Sequence, residues 1–564
     1  MYDYLIIGAG ISGLYTAYRL YSNYPKAKIC ILESTSYIGG RLHSINYDGL
    51  IMDGGGARFN TEQHRIISLL KEVGLWNKVI PITSDITYKP VNENYTTKTD
   101  SNLLFTTIDD FILYMKKYIK DKHISRDTLI NTTILDFAIK HFSKEHPDIK
   151  QNLINIYPYY SELGVLNAVE GLNLFSNEFS DKTKYYILNG GLEQLADTLY
   201  TKLKEIDIYK ETHVLEISNQ EDTETDTTYT ITTSVNKTFT TKNLILTIPK
   251  NKLLNIKFKL NSSDPKTHST IKNNLKQFQK NMNSIQNEPL YRIYARYPLD
   301  KKTHKVWFDG MGKIATNLPI KYIIPVNYEK GVIMISYTDS KFARYWFKKM
   351  AEGTFEVTLN KQLKLLFPDM DIPNAKWYKH CPWTSGAGYW KKGYDRKVIM
   401  QQMIEPLGKN TNLYVCGENY SSHQAWVEGA LETADMVLDK IYKNTYSYRT
   451  RTTHLSKKKK KTNMLGGSKK TKKSNTKSNK SDTKSNKQTE YTLEEVAKHN
   501  KKSDAWIVIH NKVADVTKWI PLHPGGDIIM KGVGKDATKL FDSIGHDDYS
   551  KTILKKYQIG ILKK

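Results

Sequence analysis

Three glycines and one acidic residue near the start of the chain have the types and spacing of a dinucleotide site. Gly8, Gly10 and Gly13 follow the apolar run Leu5–Ile7 directly, and Glu33 comes 20 residues after Gly13. The first glycine allows a tight turn, the second lets a pyrophosphate approach the backbone, and the third lets a helix pack closely on a strand. Glu33 would accept the ribose hydroxyls. The spacing predicts a bound dinucleotide; the alternative is a glycine-rich turn without a ligand.

The elements that must position these residues form a βαβ unit. Leu5–Ile7 and Lys28–Leu32 are apolar runs of the kind that form buried parallel strands. Leu14–Leu20, between them, has the apolar spacing of a helix, whose free N–H groups would face the phosphates. Because a chain of 564 residues is too long for one core, we expect two or more domains.

The spacing of the cysteines and the hydropathy of the chain indicate the cellular compartment in which the protein resides. Cys30, Cys381 and Cys416 lie far apart and form no CxxC pair, so we expect neither a disulfide framework nor a zinc site, and a reducing intracellular compartment. The first strand begins within a few residues of Met1, which leaves no room for a signal peptide and predicts a protein that is not secreted. No apolar run reaches the roughly 18 residues of a membrane span, so we expect no transmembrane segment.

More than half of the net charge of +26 lies in one segment. Residues 449–488 contain 15 lysines and arginines but one acid, Asp482, among Ser, Thr and Asn. Such a composition cannot bury enough apolar surface to offset the entropy of ordering, so we expect a basic disordered linker. The linker is either a solvated tether or a docking strip for nucleic acid, anionic lipid or an acidic protein surface.

Five further motifs, with the glycine triplet and Glu33, resemble those of the flavin-containing amine oxidase family. They are Gly39–Arg41, Asp53–Gly55, Leu188–Ala196, Leu413–Asn419 and Ala425–Leu431. The resemblance covers roughly residues 1–445 and implies an α/β Rossmann-like FAD-binding domain with an interleaved α+β substrate domain. Within residues 1–448, the FAD-binding parts would be about 1–60, 185–260 and 405–445, and the substrate-domain parts about 60–185 and 260–400.

The resemblance implies FAD as cofactor and assigns nine residues to its binding. They are Gly8, Gly10, Gly13, Glu33, Gly40, Arg41, Val214, Glu418 and Val427. Val214 stands where the family has a backbone contact to adenine. Some relatives attach the flavin to a cysteine where this chain has Gly388, so we expect noncovalent FAD.

The segments Ala57–Ile66 and Asp309–Pro319 resemble the L-amino-acid oxidase branch of the family. In that branch the arginine that matches Arg58 grips the substrate carboxylate, a task that suits the planar guanidinium fork. Arg58 is therefore predicted to bind substrate. The alternative is an arginine held by protein carboxylates or by the flavin phosphates.

Three residues are predicted to be catalytic. Tyr389 and Trp426 match two rings that frame the flavin in relatives and exclude water; the alternative is that they are ordinary core aromatics. When the strand Leu290–Tyr297 is matched to the corresponding strand of the family, Arg292 stands where the family has a lysine near the flavin N5. Because arginine does not deprotonate at working pH, fast reaction with O2 is in doubt, and a haem in the same chain becomes an alternative electron acceptor.

Residues 489–564 resemble the cytochrome b5 domain, a separate small α+β fold. The pattern includes a capping box at Thr492–Glu495, His523 followed by Pro-Gly-Gly, and His546, 23 residues after His523. The resemblance implies haem b held by His523 and His546. A haem iron with two imidazole ligands has no open coordination site and therefore transfers electrons without activating oxygen.

These observations predict an FAD-dependent oxidoreductase that oxidises an amine to the imine and then the keto product, with an L-amino acid as the first candidate substrate. The electron acceptor would be O2, the fused haem domain or another redox partner. One alternative is a polyamine or protein-lysine oxidase, which the basic linker would bring to nucleic acid. The other is a non-catalytic protein that keeps both cofactors while its substrate site has decayed.

Overall fold

The computed structural model describes most of the chain in two compact units, Met1–Arg451 and Thr452–Lys564. The basic segment 449–488 and the predicted haem ligands His523 and His546 lie outside the described residues, so what the sequence predicts for them stays a prediction. The described residues are 1–83, 85–91, 105–177, 183–221, 227–409, 411–443, 489–520, 526–543, 554–555 and 557–563.

The strands of the described ranges are numbered in chain order. They are β1 (Tyr2–Ile7), β2 (Ile29–Leu32), β3 (Ser44–Tyr47), β4 (Leu50–Asp53), β5 (Arg58–Asn60), β6 (Val79–Ile82), β7 (Ile86–Tyr88), β8 (Tyr185–Leu188), β9 (Asp207–Tyr209), β10 (Val214–Glu221), β11 (Thr227–Thr233), β12 (Thr238–Leu246), β13 (Lys257–Lys259), β14 (Ile285–Arg296), β15 (Lys313–Ala315), β16 (Tyr322–Asn327), β17 (Val332–Asp339), β18 (Trp377–Trp390), β19 (Leu413–Val415), β20 (Glu490–Tyr491), β21 (Asn500–Lys501), β22 (Asp504–Ile509), β23 (Lys512–Asp515) and β24 (Gln558–Leu562).

The α-helices are numbered in the same way. They are α1 (Ile11–Asn23), α2 (His64–Glu72), α3 (Ile108–Asp121), α4 (Arg126–Ile130), α5 (Ile134–Phe142), α6 (Ile149–Ile156), α7 (Tyr160–Gly164), α8 (Ala168–Asn177), α9 (Glu193–Lys202), α10 (Lys250–Leu253), α11 (Pro265–Met282), α12 (Ser340–Ala351), α13 (Phe355–Leu366), α14 (Arg396–Ile404), α15 (427–443), α16 (Leu493–Lys498) and α17 (Thr538–Ser543). Short 3-10 helices cover Trp76–Lys78, Glu418–Tyr420 and Gly526–Lys531.

An eight-stranded sheet carries the glycine motif. Its strand order is β13-β10-β11-β12-β1-β2-β9, and β19 lies beside β12. The predicted βαβ unit is confirmed, because β1, α1 and β2 follow one another and β1 pairs in parallel with both β2 and β12. Ile6 enters one hydrophobic core, and its neighbours Leu5 and Ile7 enter another on the opposite face. A strand covered on both faces needs apolar residues at every position, which explains the unbroken run Leu5–Ile7.

A six-stranded sheet in the order β18-β14-β17-β16-β15-β7 forms the second layer of the first unit. Neighbouring strands are antiparallel except for β15 and β7. Along β14, Ile293 and Ala295 are fully buried in a core that also holds Trp346 of α12 and Leu359 of α13. Because side chains alternate across a strand, Arg292 and Tyr294 stand on the other face of the sheet.

Helices α3 to α8 pack into a cluster that contacts the second face of this sheet. Their core includes Phe111, Phe137 and Tyr159, and it also contains Tyr322 of β16. Capping hydroxyls fix where several of these helices begin. The caps are Thr107, Ser125 and Thr133, each of which accepts a backbone N–H from the third residue after it.

The second unit contains a five-stranded sheet in the order β20-β24-β23-β22-β21. The predicted capping box is confirmed: Thr492 accepts the backbone N–H of Glu495, and the Glu495 carboxylate accepts that of Thr492. Ile507 and Ile509 of β22 contribute to a small apolar core of this unit. No helix in the described ranges has the length and apolar character that crossing a bilayer requires.

Candidate functional site

The glycine motif forms a tight turn between β1 and α1. Each of its three glycines is present for a different structural reason. Gly8 has φ of +109°, a backbone conformation that favours glycine. A Cβ atom on Gly13 would lie 2.0 Å from the carbonyl oxygen of Gly8, so only a glycine lets α1 approach β1 this closely. A Cβ atom on Gly10 would meet no atom within 4 Å. The protein therefore leaves open space beside Gly10, where the sequence predicts a pyrophosphate.

The loop that contains Gly39–Arg41 lies against this turn. The N–H of Gly39 donates to the carbonyl of Ala9 at 2.8 Å, and a Cβ atom on Gly40 would lie 3.2 Å from the Cα atom of Gly10. Gly40 has φ of +60°, so a side chain there would also strain the backbone. The two glycine segments therefore pack against each other beside the open space at Gly10, which we call the cradle.

Glu33 ends the βαβ unit and is 8% exposed. Its carboxylate accepts the backbone N–H of Ala9 at 2.8 Å and that of Thr35 at 2.8 Å. The N–H of Thr212 donates to the Glu33 carbonyl at 2.8 Å, which brings the start of β10, and with it Val214, next to Glu33. Val214 is buried, and its role toward adenine stays a prediction.

Glu418 joins three segments of the site. It is 5% exposed and accepts the backbone N–H groups of Gly388 and Ala425, each at 2.9 Å. Arg41 donates to its other carboxylate oxygen at 2.8 Å. Glu418 therefore holds β18 and the segment before α15 against the Gly39–Arg41 loop.

The chain around α15 is packed too closely for larger residues. A Cβ atom on Gly388 would lie 2.3 Å from Nδ2 of Asn419, so the cysteine that some relatives carry here would displace Asn419. A Cβ atom on Gly429 would lie 2.1 Å from Oγ of Ser421. Val427 is the first residue of α15 and is 9% exposed. The open cradle at Gly10, the buried acid and this helix start together fit an FAD molecule.

The candidate substrate site is a row of side chains across the six-stranded sheet. The strand registers pair Ala315 with Tyr322, Tyr322 with Tyr337, Tyr337 with Arg292, and Arg292 with Cys381. Paired residues stand on the same face of a sheet. The row therefore runs over five neighbouring strands on the face opposite the core of α12 and α13.

Arg292 is 8% exposed in the middle of this row. Its Nη1 donates to the carbonyl oxygen of Asp53 at 2.8 Å, and its guanidinium lies 4.5 Å from the centre of the Tyr337 ring. The Asp53 carboxylate accepts the hydroxyl of Ser44 and the N–H of Leu192. Arg292 thus contacts the segment Asp53–Gly55, but no described carboxylate forms an ion pair with it.

Arg58, at the start of β5, is enclosed by aromatic rings. Its guanidinium lies 5.2 Å from the ring centre of Tyr185 and 5.7 Å from that of Trp426. Its side-chain hydrogen bond to the hydroxyl of Tyr159 is long, at 3.5 Å. Within the described ranges Arg58 has no carboxylate partner, so the interpretation that protein carboxylates hold it finds no support there.

Tyr389 and Trp426 have different surroundings. The Trp426 ring is stacked on Tyr185, with centres 6.4 Å apart and planes at 21°. Tyr389 is 4% exposed on β18, and burial raises the pKa of its hydroxyl well above the ordinary value. Both are buried aromatics, and their catalytic roles stay predictions.

Sequence reasoning missed four tyrosines that enclose the site. Tyr159 contacts the rings of Tyr322 and Tyr337, with centres 5.1 and 5.5 Å apart, and Tyr185 supports Trp426. The chain contains 38 tyrosines, so residue type alone could not single these out. Strand periodicity gave no usable signal either, because the pairing of β14 with β17 and that of β16 with β17 both shift register.

Two parts of the chain match known protein families. Residues 11–437 match the family described as flavin-containing amine oxidoreductase, and residues 492–563 match the cytochrome b5-like haem/steroid binding domain. Uncharacterized protein R188 of Acanthamoeba polyphaga mimivirus is 24% identical over 509 residues, 78% of this chain and 94% of that protein. Cytochrome b5 of Rhizopus stolonifer is 49% identical over 73 residues, which is 13% of this chain and 56% of that cytochrome.

Solved structures of putrescine oxidase share the fold of the large unit. A variant redesigned in cofactor binding has a TM-score of 0.58 and 16% identity, covering 78% of this chain and 99% of that one. The wild type bound to putrescine has a TM-score of 0.57 with the same identity. At this identity the likeness describes the architecture alone.

Proposed function

The chain belongs to the family of flavin-containing amine oxidoreductases, and we propose that its substrate is an L-amino acid. The observation that carries the proposal is Arg58, a partly buried guanidinium with aromatic neighbours and no carboxylate partner in the described ranges. Removing a charge from water is costly unless an opposite charge meets it. The α-carboxylate of an amino acid would supply that charge.

The aromatic neighbours of Arg58 suit the binding of a carboxylate. Tyr185 and Trp426 present ring faces to the guanidinium, which holds the cation while leaving its N–H edges free to donate. A carboxylate accepts two parallel N–H bonds from such an edge. Arg58 would therefore fix both the position and the orientation of the substrate.

The family match implies FAD, which when bound accepts a hydride equivalent from the carbon that bears the amine. The residues of the chain bind and orient the substrate. Arg58 holds the carboxylate, and Trp426 and Tyr389 offer flat, water-excluding walls. The resulting imine takes up water in solution and yields a keto acid and ammonium, so no protein nucleophile is needed.

The second part of the proposal concerns the electrons. The cytochrome b5-like domain in the same chain would accept these electrons, because a haem iron takes up one electron at a time. Oxidation of one amine releases two electrons. The haem domain would therefore be reduced and reoxidised twice per substrate, with an external partner as the final acceptor.

The proposal is tested with FAD-loaded full-length protein and a panel of L-amino acids and polyamines. Arg58→Met should lower kcat/KM for amino acids by about two to three orders of magnitude, because two charge-assisted hydrogen bonds are lost. Arg58→Lys, which keeps the charge but not the fork, should recover part of the loss.

Arg126→Met is the matched control, since Arg126 pairs with Asp395 at 2.6 Å and is 39% exposed. It should leave activity unchanged. Oxidation of polyamines alone would replace the amino-acid proposal by the polyamine alternative. Equal activity of Arg58→Met and the control toward amino acids would overturn the role of Arg58. No oxidation of any compound in the panel would favour a decayed substrate site.

A further inference from the structure

A third cation, Lys313, stands on the same face of the six-stranded sheet as Arg292. Lys313 precedes Ala315 by two residues on β15, so both side chains emerge on the face that carries Tyr322. Its ammonium donates to the carbonyl oxygen of Thr83. Within the described residues no carboxylate forms an ion pair with it.

The strand order separates the two ends of this cationic face. Arg292 on β14 and Lys313 on β15 are three strands apart, with β17 and β16 between them. At about 4.8 Å per strand, the separation of their strands is roughly 14 Å. Arg58 donates to the hydroxyl of Tyr159, and the Tyr159 ring contacts Tyr322 and Tyr337, the tyrosines of the intervening strands. Arg58 therefore lies between the two ends.

The electrostatics of Lys313 agree with this placement. Burial lowers the pKa of Lys313 to about 8, the positive charge of Arg58 contributes to the lowering, and Asp85 opposes it. Two cations that repel each other in a partly buried space bind a ligand with two negative charges more tightly than a ligand with one. Glu162 is a buried acid near Tyr159 and Tyr322. Its carboxylate already accepts a hydrogen bond from the hydroxyl of Tyr157.

We infer that Lys313 binds the side-chain carboxylate of an acidic L-amino acid while Arg58 binds its α-carboxylate. This inference rests on the proposed function and narrows its substrate class to the aspartate and glutamate type. A lysine ammonium is a compact charge on a flexible stem, so it can reach side chains of either length. The side-chain carboxylate takes no part in the oxidation: the two electrons leave the C–N bond at the α-carbon.

The test compares L-glutamate with L-glutamine, which has the same shape without the second charge. Wild-type full-length protein should prefer glutamate in kcat/KM by roughly tenfold or more, the scale of a charge-assisted contact. Lys313→Met should bring the ratio close to one while leaving the value for glutamine within about twofold. Lys305→Met is the matched control, because Lys305 is 66% exposed and pairs with Asp309, and it should keep the wild-type ratio.

Two further readouts do not depend on turnover. Glutarate should perturb the flavin absorbance of the loaded protein at lower concentration than butyrate, and Lys313→Met should remove the difference. The preference for glutamate should also fall as pH rises through about 8, because Lys313 then loses its charge while Arg58 keeps its own.

The outcomes separate this inference from the function on which it rests. Oxidation of neutral amino acids without a preference for glutamate would overturn the role of Lys313 and leave the amino-acid proposal standing. A glutamate preference that survives Lys313→Met would overturn it as well. If no amino acid is oxidised, the proposed function fails, and equal binding of glutarate and butyrate would then overturn the inference separately.

Discussion

The two large sheets build their sites in different ways. In the eight-stranded sheet the cradle lies at the ends of strands and consists of backbone, glycines and the buried acid Glu33. In the six-stranded sheet the site consists of side chains that rise from the middle of the strands, with Arg292, Tyr337 and Tyr322 in one row. The first site therefore depends mainly on the space that its glycines leave open. The second site depends on the charge and polarity of its side chains.

This difference determines what a single substitution does. A substitution in the first region fills space that the backbone leaves open. Its effect therefore depends on the distance from the new side chain to the nearest atom. A change in the second region acts on charge, and its effect depends on what else neutralises that charge. The buried cations of the second region make it costly to fold, and under our proposal they bind the carboxylates of the substrate.

The largest effect is expected from a pair of substitutions in the first region. Gly13→Ala places a Cβ atom 2.0 Å from a backbone oxygen, which should destabilise the protein by about 3 kcal/mol or more. Gly10→Ala meets nothing within 4 Å in the protein, so the apoprotein should stay folded but bind FAD weakly. Thermal unfolding of the apoprotein and the flavin content after purification measure the two effects. Equal stability of both variants would contradict the account of the turn.

A medium effect is expected for Lys321, a fully buried cation of the second region. Its ammonium donates to the Ile154 carbonyl at 3.3 Å and lies 4.1 Å from the centre of the Phe342 ring. Burial lowers its pKa to about 7, while Asp339 raises and Lys341 lowers it. Lys321→Met should therefore increase the free energy of unfolding at pH 7, by on the order of 2 kcal/mol.

The sign of the pH dependence follows from proton binding. Between pH 7 and the ordinary lysine value of 10.5, the unfolded chain holds a proton that folded Lys321 does not, so the stability contributed by this group rises with pH. The gain from Lys321→Met should shrink toward pH 10. Denaturant unfolding at several pH values checks this, with Lys305→Met as the exposed control. A gain that is independent of pH would mean that packing, and not charge, is responsible.

The smallest effect is expected for Tyr159→Phe. The substitution removes a hydroxyl 3.5 Å from Arg58 and keeps the ring contacts with Tyr322 and Tyr337. Because so long a contact is weak, KM for an amino acid should rise by no more than about threefold with kcat unchanged. Steady-state kinetics measure it. A loss above tenfold would show that this hydroxyl positions the guanidinium.

The same contrast explains how much could be predicted from the sequence. The sequence predicted the βαβ unit, both family assignments and the capping box at Thr492, because each depends on residues close together in the chain. The interleaving of the two large sheets followed from the resemblance. Helix α1 begins at Ile11, three residues before the predicted Leu14, because Gly13 lies within the helix and Gly10 is its N-cap.

The rest of the site could not be predicted, because it depends on strand register. Nothing near Tyr322 in sequence indicates that it pairs with Tyr337, or that Tyr337 lies beneath Arg292. The contact of Arg58 with Tyr185 joins residues more than a hundred positions apart. Lys313 lies within the segment Asp309–Pro319, but a single lysine there has no pattern that marks it as a substrate ligand.

The most direct test of the account is an anaerobic absorption spectrum of the FAD- and haem-loaded full-length protein, recorded before and after addition of L-amino acids. We expect an L-amino acid to bleach the flavin band and the haem Soret band to shift afterwards on the timescale of turnover. Flavin bleaching without a haem response would remove the haem from the electron path. The absence of bleaching by every amino acid, with both cofactors bound, would contradict the central claim.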